Sequence, residues 1–110
     1  MARFRPRWAP ALATALLLSG LGPASSAEFA CADFLRMHGL LRKAQGACGF
    51  TAYNPAIVDR AHACFDAIGN HRGAKEIYAG AAEFEKLRAV QGVDAACETL
   101  ATRFPMVVRR

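Results

Sequence analysis

Four cysteines constrain this chain more than any other feature, and no two of them stand close enough in the sequence to form a CxxC motif. An even number of cysteines in a short exported chain is typical of disulfide bonds, and four cysteines allow three pairings. Such bonds matter in a small domain, because a core of this size is marginal without a covalent link. The four positions are Cys31, Cys48, Cys64 and Cys97.

The first 27 residues predict a secretory signal peptide. A leader with three arginines precedes an apolar stretch at residues 9–18, and the segment ends in small residues up to Ala27. This pattern places the cleavage site before Glu28 and favours a periplasmic or secreted protein. An uncleaved membrane anchor would need about 20 apolar residues, whereas glycine and proline interrupt this stretch well before that length. We therefore expect no stable membrane anchor after cleavage.

Cleavage would change the charge of the protein. The whole chain has 14 basic and nine acidic residues, a formal charge of +5. The predicted signal peptide removes three arginines and no acidic residue, so eleven basic and nine acidic residues remain and the formal charge falls to +2. Charge therefore gives little basis for a nucleic-acid-binding role. Residues 28–110 are predicted to form a single domain with a mixed, solvated surface.

Apolar residues recur at helical spacing along this domain, which predicts an all-α bundle of about four helices. The first helix is predicted over 32–42, with Gly46 as its stop signal and Cys48 in the loop that follows. The second helix is predicted over 55–68, because Asn54 suits an N-cap and proline suits the first helical position.

The third and fourth helices have weaker boundaries. A polar turn is predicted at 69–73, followed by a third helix over 74–90. Gly80 either divides this helix or permits a close contact with a neighbouring helix. Asp94 is predicted to cap the fourth helix, and the tail at 106–110 either lies along the bundle or forms a short extended piece.

The predicted arrangement of the helices favours one of the three possible disulfide pairings. Cys31 and Cys48 stand at opposite ends of the first helix, roughly 15 Å apart at about 1.5 Å per residue, whereas a disulfide needs Cα atoms within about 7 Å. Short connections make successive helices antiparallel, which brings Cys64 beside Cys31 and Cys97 beside Cys48. We therefore predict that Cys31 pairs with Cys64 and that Cys48 pairs with Cys97.

Several classes of catalytic or cofactor site are excluded by the residues that the domain lacks. No serine remains after the predicted cleavage, which excludes a Ser-His-Asp triad. The three histidines and four cysteines do not form the close ligand pairs of a zinc site, and the absence of CxxCH excludes ordinary covalent haem attachment. The sequence therefore predicts no catalytic residue, no metal and no cofactor, and we expect a protein that is not an enzyme.

Two clusters of titratable residues have both a functional and a structural interpretation. On the second helix, a histidine between two aspartates would suit a proton switch or weak metal binding, but ion pairs on a solvated face explain it better. Glutamates on the third helix offer carboxylates, but glycoside hydrolysis needs two that converge across a cleft. The residues are Asp59, His62 and Asp66, and Glu76, Glu83 and Glu85.

A resemblance to known proteins is carried by Cys31-Ala32-Asp33-Phe34, Cys48-Gly49-Phe50, Tyr53-Asn54-Pro55, Ala63-Cys64-Phe65, Ala96-Cys97 and Phe104-Pro105-Met106-Val107-Val108-Arg109. In these segments the chain resembles a group of small exported four-cysteine helical proteins of alpha-proteobacteria, and the resemblance implies no activity. Some sequences of this type carry the automatic label "signal recognition particle". The present residues do not support that label, because they include neither a GTPase phosphate loop nor a methionine-rich signal-binding domain.

We expect this protein to act by binding, with another protein as its partner and an exposed apolar patch as its interaction surface. Core packing is an equal alternative for every residue of that patch. A pH-responsive periplasmic stress chaperone is a second hypothesis, since residues 31–35 are similar to the start of small helical acid-stress chaperones. A small hydrolase would require a cleft in which carboxylates or His62 converge with shifted pKa values. The patch residues are Phe50, Tyr53, Met106, Val107 and Val108.

Overall fold

The computed structural model describes residues 30–110 of the chain. The predicted signal peptide and its cleavage site before Glu28 lie outside these residues. The described part is mostly helical, which confirms the all-α prediction, with one small antiparallel strand pair. Its elements are α1 (30–48), β1 (Ala52–Tyr53), α2 (Pro55–Ile68), α3 (Asn70–Gln91), α4 (Val93–Arg103) and β2 (Val108–Arg109).

Helix α1 continues past its predicted stop signal. Gly46 lies exposed inside the helix, and Cys48 is the last helical residue rather than part of a loop. The end of the helix is closed by Gly49, whose amide N–H donates to the Gln45 carbonyl at 3.1 Å. The predicted end at Arg42 was therefore wrong. An interior glycine costs only about 1 kcal/mol, which the packing of the rest of the helix offsets.

The start of α2 confirms the sequence prediction. The Asn54 side-chain oxygen accepts a hydrogen bond from the Ala56 amide at 2.9 Å, and Pro55 occupies the first helical position. Asn54 has a second role, because its side-chain amide donates to the Met106 carbonyl at 3.0 Å. One residue thus caps α2 and ties the C-terminal segment to the helix start.

Single glycines, rather than a polar turn and an aspartate cap, join the last three helices. Gly69, with φ of 91°, separates α2 from α3, and Gly92, with φ of 87°, separates α3 from α4. L residues rarely adopt such angles, whereas glycine does so freely. The predicted turn over 69–73 and the predicted start of the third helix at Ala74 were therefore wrong. Asp94 lies in the first turn of α4 and does not cap it.

Both predicted disulfides are present. The Cα atoms are 5.0 Å apart for Cys31–Cys64 and 5.6 Å apart for Cys48–Cys97. Cys64 belongs to a small cluster with Leu35 and Ala61. The other bridge borders the main core, which draws residues from α1, α3, α4 and the C-terminal segment. Its buried members are Leu40, Leu41, Ala44, Phe50, Phe84, Ala96, Leu100, Val107 and Val108.

Helix α3 is continuous through Gly80. Of the two roles predicted for this glycine, the structure therefore shows the close contact with a neighbouring helix. A Cβ atom on Gly80 would overlap the carbonyl oxygen of Arg36 and would lie 2.7 Å from the Leu40 amide nitrogen. On the opposing helix, a Cβ atom on Gly39 would overlap the backbone carbonyl of Ile77. The two glycines let the backbones of α1 and α3 touch, which fixes the position of α1 beside the pocket described next.

Candidate functional site

An apolar pocket of about 340 Å³ lies between α1, α2 and α3. Residues spaced three or four apart on α2 form one wall, because this spacing places them on one helix face. Helix α1 supplies an apolar and a polar residue, and α3 supplies one residue. The lining residues are Leu35, His38, Val58, Ala61, His62, Phe65 and Ile77.

Contacts between helices hold the walls of the pocket, and local sequence patterns do not reveal these contacts. Leu35 and Ala61 belong to the small buried cluster that includes Cys64, so the Cys31–Cys64 bridge holds the wall against α1. Phe65 packs on Gly73 of α3, where an added Cβ would come within 2.6 Å of the ring. The pocket therefore has a covalent link on one side and a tight helix contact on another.

His38 is the more enclosed of the two pocket histidines. Its Nδ1 atom lies 2.9 Å from the Tyr53 hydroxyl oxygen, and the two rings meet edge to face with centroids 5.8 Å apart. Burial lowers the pKa of His38 below its usual 6.5, and electrostatic interactions with Arg42 and His62 lower it further. His38 is therefore held in its neutral form at a pH where an exposed histidine would begin to take up a proton.

Tyr53 links the pocket to the strand pair. Burial raises the pKa of Tyr53 to about 12, with the Arg42 charge acting in the opposite direction. The phenol therefore keeps its proton at neutral pH. The Arg42 guanidinium carbon lies 5.4 Å from the centre of the Tyr53 ring, within the range of a cation–π contact. When the phenol donates to Nδ1 of His38, the ring proton of the neutral imidazole is on Nε2.

Of the three residues that the sequence grouped on the second helix, only His62 lines the pocket. His62 lines the apolar pocket together with His38. Asp59 and Asp66 are exposed and do not line it. The two aspartates therefore lie on the solvated surface, whereas His62 shares the pocket lining with His38 of α1.

The three glutamates of α3 do not meet across a cleft. An oxygen of Glu76 accepts from the Arg36 guanidinium at 2.8 Å, joining α3 to α1. Glu85 lies 3.9 Å from the Lys43 ammonium, and Glu83 is exposed. Two of these carboxylates thus form ion pairs between helices, as a mixed-charge surface would.

The predicted interaction patch divides between core and surface. Phe50, Val107 and Val108 are buried in the main core, so the core-packing alternative applies to these three. Tyr53 is half-buried against His38. Met106 is 82% exposed. Val108 lies opposite Tyr53 in the strand pair, and Val107, in the turn before β2, is held by a hydrogen bond from the Asn54 amide to its carbonyl oxygen.

Sequence reasoning missed the pocket and His38. The apolar residues that recur at helical spacing on α2 include Ala61, Cys64 and Phe65, on the face toward the disulfide. The pocket uses an overlapping stripe that adds Val58 and His62, and this second stripe was the available signal. The sequence pattern of α2 does not indicate which residues of α1 this second stripe faces.

Within residues 30–110, no group of three or more histidine, cysteine, aspartate and glutamate side chains is placed to hold a metal ion. All four cysteines are in disulfides and none is free. No helix in this part of the chain is long and apolar enough to cross a membrane.

No protein-family model, no curated protein and no solved structure matches the chain. Residues 30–110 form a small four-helix bundle with two disulfides and a surface pocket.

Proposed function

We propose that this protein is an exported, non-enzymatic binding protein whose partner is another protein. The observation that carries the proposal is the pocket between α1, α2 and α3, whose lining is almost entirely apolar apart from two histidines. Its volume is at the lower end of the range of about 300–1,000 Å³ typical of binding pockets. In this proposal it receives one apolar side chain of the partner, as the central pockets of protein interfaces do.

Two features of the fold support this proposal. Disulfides persist mainly in oxidising compartments outside the cytosol, which agrees with export. The Cys31–Cys64 bridge and the close contact at Gly80 hold the pocket walls before a partner arrives. A preformed site avoids part of the entropy cost of binding.

Filling the pocket is expected to abolish partner binding. The oxidised protein and its Val58→Trp variant would be used to capture proteins from the cell envelope, since an indole at this position occupies the pocket. Val90→Trp is the matched control, because Val90 is 84% exposed on α3 and does not line the pocket. We expect a protein that is captured by the wild type and the control but reduced at least about tenfold on Val58→Trp, the loss typical of a central contact.

Circular dichroism would first establish that both variants have the helical content of the wild type. Capture of the same proteins in the same amounts by all three forms would contradict the proposed role of the pocket.

A pH-responsive stress protein is a second candidate, favoured by the position of His38. This residue is half-buried in an apolar pocket, beside Arg42 and His62, with its pKa lowered. Since the unfolded chain binds a proton on this histidine at higher pH than the folded chain does, His38 lowers stability as the pH falls below about 6.5. Acidification would then loosen the contact between α1 and α2 and expose apolar surface.

The pH dependence of stability is expected to become weaker in His38→Gln. The free energy of unfolding in urea would be measured between about pH 7.5 and pH 5, above most carboxylate titrations. The wild type should lose stability toward pH 5 and bind more of an apolar dye, whereas His38→Gln should show a shallower slope. His71→Gln is the control, because His71 is exposed on α3. Equal slopes for all three proteins, with unchanged dye binding, would exclude this candidate.

A further inference from the structure

A second surface depression, of about 420 Å³, lies on the strand pair and shares no lining residue with the pocket between α1, α2 and α3. We call it the strand groove. Three of its lining residues, Tyr53, Met106 and Val107, belong to the interaction patch that the sequence predicts. The full lining consists of Ala52, Tyr53, Asn54, Pro55, Pro105, Met106, Val107 and Arg109.

The register of the strand pair determines which side chains the strand groove presents. Tyr53 lies opposite Val108, and this pair faces the bundle, because Val108 is buried and Tyr53 contacts His38. Successive side chains of a strand point to opposite faces, so the neighbouring pair, Ala52 and Arg109, faces away from the bundle. Both residues are exposed. The small side chain of Ala52 therefore leaves open space beside the arginine.

Hydrogen bonds hold the backbone of the strand groove in place. The Asn54 amide N–H donates to the Val107 carbonyl at 2.8 Å, and the Asn54 side chain donates to the Met106 carbonyl at 3.0 Å. The Thr51 amide N–H donates to the Arg109 carbonyl at 2.8 Å. Met106 is nevertheless 82% exposed. A large apolar side chain is thus presented to solvent on a fixed segment, where a partner can contact it without first ordering the chain.

The charge of the strand groove comes from arginine, which remains protonated in proteins. None of its lining residues is a carboxylate. The two segments around it, residues 49–58 and 99–110, contain three arginines and no acidic residue. Arg110 pairs with Glu98 at 3.1 Å. In the part of the chain that the structure describes, no carboxylate forms an ion pair with Arg109.

The carboxylates nearest along the chain do not neutralise Arg109. Asp59 lies one turn inside α2, is exposed, and is not part of the lining. Glu98 is engaged by Arg110. The strand groove therefore combines an arginine that has no carboxylate partner with an exposed methionine. A carboxylate beside an apolar group is complementary to this combination, because guanidinium binds carboxylate through charge-assisted hydrogen bonds.

We propose that the strand groove binds an acidic segment of a partner protein, in which a carboxylate pairs with Arg109 and a neighbouring apolar side chain packs on Met106. The strand groove is separate from the pocket of the proposed function, so it adds a second contact surface. One unpaired arginine in a depression suits a single carboxylate of a protein. Attachment to anionic lipid uses clusters of about four to eight basic residues instead.

Two charge variants of the oxidised protein test the proposal. Arg109→Glu reverses the charge in the strand groove, and Lys86→Glu makes the same change at an exposed position of α3 that lines neither the groove nor the pocket. The hydrogen bond from Thr51 uses the backbone carbonyl of residue 109, so it does not depend on the side chain. Circular dichroism would first establish that both variants have the helical content of the wild type.

The oxidised wild type would be used at neutral pH to select peptides from a random library displayed on phage. We expect peptides with aspartate or glutamate near a large apolar residue. A synthetic peptide from this selection should bind Arg109→Glu at least about tenfold more weakly than it binds Lys86→Glu, because like charges repel. Replacing the acidic residue of the peptide by its amide should remove most of that difference. Met106→Ser should also weaken binding, and Val58→Trp should not.

The other outcomes overturn the inference. Selected peptides without an acidic preference, equal binding to the two charge variants, loss of binding on Val58→Trp, or no selected peptide would each do so. Vesicles that contain phosphatidylserine provide a further arm. If they bind the wild type but not Arg109→Glu, and no peptide is selected, the strand groove is assigned to lipid headgroups instead. The inference and the proposed function fail separately, because Arg109→Glu alters only the strand groove and Val58→Trp alters only the pocket.

Discussion

Replacing Cys48 and Cys97 together with alanine is expected to lower the free energy of unfolding by about 4 kcal/mol. The bridge joins residues 49 positions apart, and it links the end of α1 to α4. Removing it restores the conformational freedom of that loop to the unfolded chain. Cys97 is also only 1% exposed beside the main core, so two truncated side chains leave unfilled space there. Small domains have a total stability of about 5–15 kcal/mol, so this loss is a large fraction of it.

Urea unfolding followed by helical circular dichroism would measure the effect. The double variant Cys31→Ala and Cys64→Ala provides the comparison, since its loop spans 33 residues and its bridge supports the small cluster rather than the main core. We expect a somewhat smaller loss for that variant, and an unfolded protein when all four cysteines are replaced. An unfolding midpoint for the first variant equal to that of the wild type would show that the bridge adds no stability.

The disulfide pairing was predictable although several helix boundaries were not. The pairing depended on which ends of the helices meet, and that follows from helix count and short connections. Extending α1 from the predicted end at Arg42 to Cys48 adds roughly 1.7 turns, but Cys48 stays at the same end of the helix and is bonded to Cys97 of α4. The Asn54 cap was equally predictable, because its cause lies within two residues.

The connection at Gly69 was not predictable from local sequence. The polar residues after it resemble a turn, yet they form the first turns of α3. Gly73 looked like a second turn glycine, whereas it is the residue on which the Phe65 ring packs. Its role depends on a contact between two helices, and periodicity within one helix carries no information about such a contact.

The pocket was missed for a related reason. The sequence identified His62 but grouped it with aspartates of its own helix. The structure pairs it with His38, which comes from a different helix and had no role in the prediction. Because Gly39 and Gly80 have no Cβ atom, the backbones of α1 and α3 can touch, and this contact positions the two helices. The sequence of either helix alone does not show the contact on which the site depends.

Replacing Gly80 with alanine is expected to lower the free energy of unfolding by about 2 kcal/mol or more. The added methyl group would overlap the Arg36 carbonyl oxygen and press on the Leu40 amide nitrogen, 2.7 Å away. Both obstacles are backbone atoms, so no side-chain rotation relieves them and α1 must move away from α3. The intrinsic helix preference of alanine over glycine, about 1 kcal/mol, offsets only part of this cost. The movement would also widen the pocket and weaken binding of the proposed partner.

Gly46→Ala is the matched control, because it makes the same change inside a helix where nothing lies within 4 Å of the added Cβ. We expect this variant to gain up to about 1 kcal/mol, since only the helix preference changes. Urea unfolding would then separate the two variants by about 3 kcal/mol. A Gly80→Ala protein as stable as Gly46→Ala would mean that α1 and α3 do not touch at Gly80. The positions of Leu35 and His38 against Ile77, and with them the pocket, would then have no fixed support.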